Sequence, residues 1–325
     1  MLRKPYRLLS VLVGMALCPA ASYGQASVLP NKPVRIIVPN SAGGAADILG
    51  RLIAPKLSEA LGQSVIVENR PGANGVIASV YVASAAPDGT VLEVGNSGTH
   101  AINATLYKNA AYDPVRDFAA ISEIISSSLV MVASLSVRAN NIRELIAEAQ
   151  SAPGKLNIAV VGATGEIAGN MIKLQAKIEM KNVLYKGSSP GTIALISNES
   201  HLMLTPYSGV VATLESAKLK AIGVTGSRRV PQLPNVPTLG ESGLDGYEVE
   251  LWSGLFAPAK TPAATVQALS RELVRAINSP EMKQRFATTG DTVVGSTPEQ
   301  FAGRVRRDTE KYRRIILESG MQRLD

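Results

Sequence analysis

Three short runs bring glycines, small hydroxyls and titratable groups to places where a small molecule can meet backbone amides. The first is Asn40-Ser41-Ala42-Gly43-Gly44-Ala45-Ala46-Asp47. Glycines let a ligand approach the main chain, and the free amides that open a helix attract an anion. The competing reading is an ordinary strand-to-helix turn with Asp47 capping the helix. The spacing is neither a P-loop nor a dinucleotide fingerprint. The second run is Asn96-Ser97-Gly98-Thr99-His100. Ser97, Gly98 and Thr99 suit a carboxylate cradle. A Ser–His nucleophile lacks an orienting third group and a nucleophile elbow, so His100 reads as a satisfied structural histidine. The third run is Gly162-Ala163-Thr164-Gly165-Glu166, where Glu166 either favours the first turn of a helix or meets a ligand amine. His201 reads as a solvated edge residue. No HExxH and no catalytic pair of carboxylates occurs. The expectation is binding loops without a catalytic group, so not an enzyme, with no cofactor and no metal.

The elements around these runs alternate. VRIIV (34–38) is a β-branched run of the kind a buried parallel strand requires. A helical period follows over 47–61, with apolar residues at 48, 49, 52, 53, 57 and 61. VIVEN (65–69), a helix over 76–85 and TVLEVGN (90–96) complete a β-α-β-α-β unit, which predicts a parallel sheet covered by helices. Strands are expected again at 129–134, LNIAVVG, NVLYK, HLMLT and LKAIGVT, with helices between them. Pro231, Pro234 and Pro237 mark an irregular stretch. After WSGLFAP the chain turns helical, with a possible strand at 292–295. The three candidate runs each follow a strand, and ligands of open α/β sheets sit outside strand carboxyl ends.

The chain has 325 residues, of which 46% are hydrophobic and 18% charged, too apolar for a disordered chain. Aromatics are 4%, so the core must be aliphatic. Cys18, the one cysteine, excludes a disulfide framework. The amino terminus has the layout of a secretory leader: Arg3, Lys4 and Arg7, then LLSVLVGMAL, then small residues. Removing it takes away three basic residues and no acidic ones, so net charge falls from +7 to +4. The remaining positive charge concentrates at Arg304, Arg306, Arg307, Lys311, Arg313 and Arg314. With only Tyr312 among them, this reads as a solvated helix face and not a nucleic-acid stripe.

Longer blocks carry a resemblance. The run KPVRIIVPNSAGGAADILGRLIAPKLSEALGQSVIVENRPGANG is followed by APDGTVLEVGNSGTHAIN, LYKNAAYDPVRDFAAIS, PGKLNIA, LYKGSSPG, LKAIGVTGSRRVPQLPNVPTLGESGLDGYEV and WSGLFAPAKTP. Together they resemble the Bug-type solute receptors of tripartite tricarboxylate transporters, from about Lys32 to the C-terminus.

The resemblance implies an α/β protein of the type II periplasmic-binding-protein fold, two α/β lobes joined by crossing strands. It implies a signal peptide (1–26), a first lobe from 28–127 and 251–325, and a second lobe from 128–250. The implied activity is capture of a small organic acid in the interlobe cleft of a periplasmic monomer, followed by delivery to membrane permease subunits. The alternative is a sensor receptor presenting its ligand to a membrane signalling partner. The implied ligand-binding positions are Asn40, Ser41, Ala42, Gly43, Gly44 and Asp47, with Ser97, Gly98 and Thr99 as a third wall. In the second lobe they are Gly162, Ala163, Thr164, Gly165 and Glu166, with Tyr185-Lys186-Gly187 as a fourth wall. Three departures bear on specificity. Asn40 replaces the family's aromatic, the second-lobe loop is shortened, and SNESHLMLTPYS replaces an acidic segment. A buried Glu166 beside a second carboxylate would be costly. The expected ligand is therefore a monoacid bearing an amine or amide that Glu166 accepts.

Overall fold

Val34–Val38 is buried at four of its five positions, as a run of β-branched residues between two helix layers must be. The computed structural model describes residues 29–325; the expected leader lies outside them. In chain order the strands are β1 (Val34–Val38), β2 (Val65–Asn69), β3 (Val91–Asn96), β4 (Phe118–Ser134), β5 (Asn157–Val161), β6 (Lys181–Tyr185), β7 (Leu202–Pro206), β8 (Leu219–Val224), β9 (Glu250–Pro258) and β10 (Thr292–Val293). The helices are α1 (Ala45–Leu61), α2 (Val76–Ala83), α3 (Asn103–Leu106), α4 (Ile142–Ser151), α5 (Gly162–Ala176), α6 (Ser188–Ile196), α7 (Val211–Glu215), α8 (Ala263–Ile277), α9 (Pro280–Thr289) and α10 (Pro298–Glu318).

Two sheets share one strand. In the first lobe β1 pairs parallel with β2 and β3, and β9 returns antiparallel between β3 and β4. In the second, β5 pairs parallel with β6 and β7, while β7 and β8 flank β4 antiparallel. β4 serves both: residues 118–128 pair with β9 and residues 129–134 pair with β7 or β8. Sequence reasoning found only the second half of this strand. Its first half reads AAISEIISSS, too polar to signal a buried strand, yet Ser122, Glu123 and Ser126 are all buried. The expected strand at 292–295 shrinks to the two residues of β10 against β4.

Partners inside the protein explain that polarity. Arg304 on α10 donates from Nη1 to Glu123 on β4 at 2.7 Å and from Nη2 to Glu250 on β9 at 2.6 Å. Its Nε lies 3.6 Å from Asp308, which also meets Lys311 at 2.8 Å and accepts from Trp252 Nε1 at 2.8 Å. Ser126 Oγ donates to Glu250 at 2.7 Å. This hub pins the last helix across both crossing strands. Two cations face three carboxylates. Burial outweighs Arg304 at Glu123, with Glu250 adding to the rise, and its carboxyl is pushed up to about 7. The terminal cations are therefore only partly a solvated face: Arg304 and Lys311 belong to the hub, while Arg306, Arg307, Arg313 and Arg314 are exposed. Above the hub, Phe301 packs on β9 at Gly254, where a Cβ would lie 2.3 Å from its ring.

The aliphatic core is continuous where it matters for the cleft. Ala101, Ile102 and Leu106 of the first lobe share one buried cluster with Ile167, Ala168 and Met171 of α5. Each of the larger side chains among them, Ile102, Leu106, Ile167 and Met171, contributes roughly 1.5–3 kcal/mol on burial.

Removing the hub cation should be severe, because it strands buried carboxylates. Arg304→Met is expected to lower stability by about 3–5 kcal/mol in urea unfolding. A loss below about 1 kcal/mol would show that solvent, not Arg304, holds those charges.

Candidate functional site

The parallel strands place their carboxyl ends on shared edges, so the candidate runs assemble by topology. β1, β2 and β3 end at Val38, Asn69 and Asn96. The loops that follow converge: a Cβ on Gly75 would lie 2.8 Å from Pro39 Cβ and 2.6 Å from Thr99 Cγ2, and Gly75 has φ +94°. Only glycine fits there.

Asp47 organises the first loop. It is 3% exposed and is the third residue of α1, whose N-cap is Gly44. This corrects the expected capping role. Asp47 Oδ2 accepts from the Gly43 amide at 2.9 Å, Oδ1 accepts from Asn69 Nδ2 at 2.9 Å, and Arg51 Nε donates to both oxygens. Arg51 first, then the Gly43 amide and Asn69, bring its carboxyl down to about 2. Asn69 Nδ2 also holds the Asn40 carbonyl at 3.0 Å, and the Gly44 amide donates to Ser41 O at 3.0 Å. With both oxygens engaged by protein, Asp47 anchors the loop. Asn40, Ser41, Ala42 and Gly43 are left exposed at its crest. The first amides of α1 have no intrahelical partners and keep their pull on an anion.

The second run is a wall whose polar groups are turned inward. Asn96 Oδ1 accepts from the amides of Gly98 and Thr99 at 2.9 and 3.1 Å. Thr99 Oγ1 accepts from the Asn96 amide at 3.0 Å and lies 2.9 Å from His100 Nδ1, and Tyr112 donates to the Thr99 carbonyl at 2.5 Å. Ser97 is 2% exposed. His100 is fully buried, stacked on Phe256 at 3.8 Å between ring centroids. It is not fully satisfied: its Nε2 has no hydrogen-bond partner and faces Glu93 Oε2, equally unpartnered, at 3.9 Å. Burial pushes Glu93 up to about 8 and His100 down to about 3, so the two are neutral and not an ion pair.

In the second lobe, β5, β6 and β7 end at Val161, Tyr185 and Pro206. Gly162, Ala163, Thr164, Gly165 and Glu166 are not a loop but the opening of α5, with Gly162 at φ +65°. Glu166 stands past the first turn, so it does not cap the helix, and it acts electrostatically on Lys173 of the same helix. The Tyr185 hydroxyl leaves the loop cluster: it shares a 3.2 Å hydrogen bond with Ser200, just before the amino end of β7. Sequence reasoning missed Ser188, whose hydroxyl meets that of Thr205, from the segment that replaces the family's acidic one, at 2.7 Å beneath Gly209. Its signal was a hydroxyl opening the helix that follows a strand. Lys186, named only as part of a wall, is exposed and makes no ion pair among the described residues.

A separate polar concavity is lined by Ser126, Ser128, Ser227, Arg228, Arg229 and Glu250. It is built from the crossing strands, β10, Arg304 of α10 and the segment after β8, and shares no residue with the loops after β1, β3, β5 and β6. Among the described residues no cluster of acidic, histidine or cysteine side chains could hold a metal ion, and no helix is long and apolar enough to cross a membrane.

The profile of the tripartite tricarboxylate transporter family receptors matches residues 49–321. Three solved structures are similar. An R. palustris protein with adipate is 30% identical, with 90% of this chain and 98% of that chain covered and a TM-score of 0.73. The periplasmic binding protein BugD is 31% identical, with 90% and 98% covered and a TM-score of 0.70. MatC from Rhodopseudomonas palustris with bound malate is 30% identical, with 89% and 100% covered and a TM-score of 0.71. Two α/β lobes on a shared crossing strand, with loops gathered at the strand ends, are thus the type II periplasmic-binding-protein fold, and the chain belongs to the tripartite tricarboxylate transporter receptor family.

Proposed function

We propose that the protein is a periplasmic solute receptor that captures a small dicarboxylate between its lobes and delivers it to a tripartite tricarboxylate transporter permease. The observation that carries this reading is the first-lobe loop, where Asp47, Asn69 and Arg51 hold an exposed crest over a helix amino end. One carboxylate docks on the amides of Ser41, Ala42 and the first turn of α1. Lys186, exposed after β6, meets the other carboxylate. Glu166 is only half-buried and its charge acts on Lys173 of its own helix, which weakens the case for a ligand amine. Relatives solved with adipate and malate support a diacid over a monoacid. The leader-like amino terminus supports export.

The test is calorimetry with four- to six-carbon diacids against monoacids of equal length. Diacids should bind at least tenfold more tightly, a gap of about 1.4 kcal/mol. Equal affinity for both would contradict the two-ended reading.

Two variants separate the ends. Lys186→Met should weaken adipate by about tenfold while leaving a monoacid within about threefold, which differ by a factor an isotherm resolves. Asp47→Asn keeps the shape but loses the charge-assisted bonds to Arg51 and Gly43, so both ligand classes should weaken together. Unchanged isotherms for Asp47→Asn would show that the crest does not depend on its anchor.

A further inference from the structure

Five polar groups run in a line from the interior of the first lobe to its cleft wall. Ser79 Oγ donates to Glu93 Oε1 at 2.8 Å. Glu93 Oε2 faces His100 Nε2, His100 Nδ1 meets Thr99 Oγ1, and Thr99 Oγ1 lies 3.2 Å from the Asn96 carbonyl. Glu93 and His100 are fully buried, and Thr99 is 1% exposed. Two buried atoms without partners are costly, and here they face one another. A side-chain shift of about 1 Å, or one bridging water, joins them.

We propose that this line is a proton relay: Glu93 and His100 share one buried proton, and its loss switches the His100 tautomer and frees the Asn96 carbonyl at the cleft wall. The proposal rests on the receptor reading for its effect on ligand, though not for the relay itself. With Glu93 protonated, every donor has an acceptor. Glu93 Oε2–H donates to His100 Nε2, Nδ1–H donates to Thr99 Oγ1, and the Thr99 hydroxyl donates to the Asn96 carbonyl. When the line loses a proton, Glu93 passes its own to His100 Nε2, Nδ1–H passes to Thr99 Oγ1, and the Thr99 hydroxyl gives its proton to water at the cleft wall, so the carboxylate keeps Nε2–H as its donor. The imidazole stays neutral but carries its proton on Nε2, and Nδ1 becomes an acceptor. The Thr99 hydroxyl then turns to Nδ1 and leaves the Asn96 carbonyl. Proton count falls by one, at Glu93 alone.

No fixed charge offsets that ionisation. The groups facing the pair are Ser79 from α2, Tyr112, and Phe256 and Phe118 from the crossing strands; α10 offers only the Thr309 hydroxyl, to the His100 carbonyl. Burial also raises the Tyr112 phenol, so it stays protonated. Gly95 keeps the ring in place, since a Cβ there would lie 2.4 Å from Nδ1. Glu93 is held up to about 8, above its ordinary carboxyl value. Its contribution to stability is therefore complete below the ordinary value and is lost as pH rises through about 8. A carboxylate ligand and an ionised Glu93 lie on the same lobe and repel, so each opposes the other.

The experiment is imidazole nitrogen NMR on the full chain between pH 6 and 9, with His201→Gln used to assign His100. His100 should change from the Nδ1–H to the Nε2–H tautomer without passing through imidazolium. Glu93→Gln, whose amide donates to Nε2 permanently, should hold it as Nδ1–H throughout. In parallel, wild-type affinity for adipate should fall by about threefold over that range, and Glu93→Gln should flatten the fall. A single tautomer across the range in wild type overturns the relay, as does an identical tautomer profile in Glu93→Gln. Should adipate and the other diacids not bind at any pH, the receptor reading fails, and the tautomer result still decides the relay.

Discussion

One strand must serve two sheets. β4 enters at Phe118 among the strands of the first lobe and leaves at Ser134 among those of the second. Its middle cannot be covered by an aliphatic layer on both sides, because the lobes part there. The chain places serines and Glu123 at that point, satisfying Glu123 from α10 through Arg304 and the serines through Ser296, Glu250 and Asp291. A charged hub is weak evidence for stability, but removing one partner leaves uncompensated charge in the interior. The hub thus fixes where the two strand-end edges stand relative to one another. The strand-end loops inherit their relative position from it.

The loops show a division of labour. Polar side chains at the strand ends mostly serve the protein: Asp47 and Asn69 hold the first loop, and Asn96 holds the amides of Gly98 and Thr99. In the proposed reading, what remains for a ligand is backbone at the crest of one loop and the exposed Lys186 on the other lobe. Rigid, internally satisfied supports reduce the ordering cost of binding. In the proposed reading, anion recognition by amides also needs no counter-charge in the first lobe, which suits release of the ligand.

How much was legible depended on whether burial and polarity agreed. VRIIV, VIVEN and LNIAVV announced their strands because β-branched runs have few other uses in an α/β chain. The first half of β4 stayed hidden because Ser122, Glu123 and Ser126 are polar and buried together, with partners far away in sequence. Gly162-Ala163-Thr164-Gly165 read as a loop from its glycines, yet its small residues open α5. Tyr185 was read as a cleft contact, but a strand position does not say that a phenol reaches back to Ser200. Glu93 drew no attention within TVLEVGN, where it looked like one polar residue in an alternating strand. Its burial comes from α2, whose Ser79 donates to it, with β9 paired beside it in the sheet, which no local pattern reports.

The central claim is that ligand is held by strand-end loops and not by the polar concavity behind the crossing strands. Hydrogen exchange with and without saturating adipate, read by mass spectrometry on overlapping peptides, tests it directly. The account predicts slowed exchange over residues 40–47 and 185–188, with the segment 226–230 unchanged. Protection confined to 226–230, with residues 40–47 exchanging as in free protein, would contradict it.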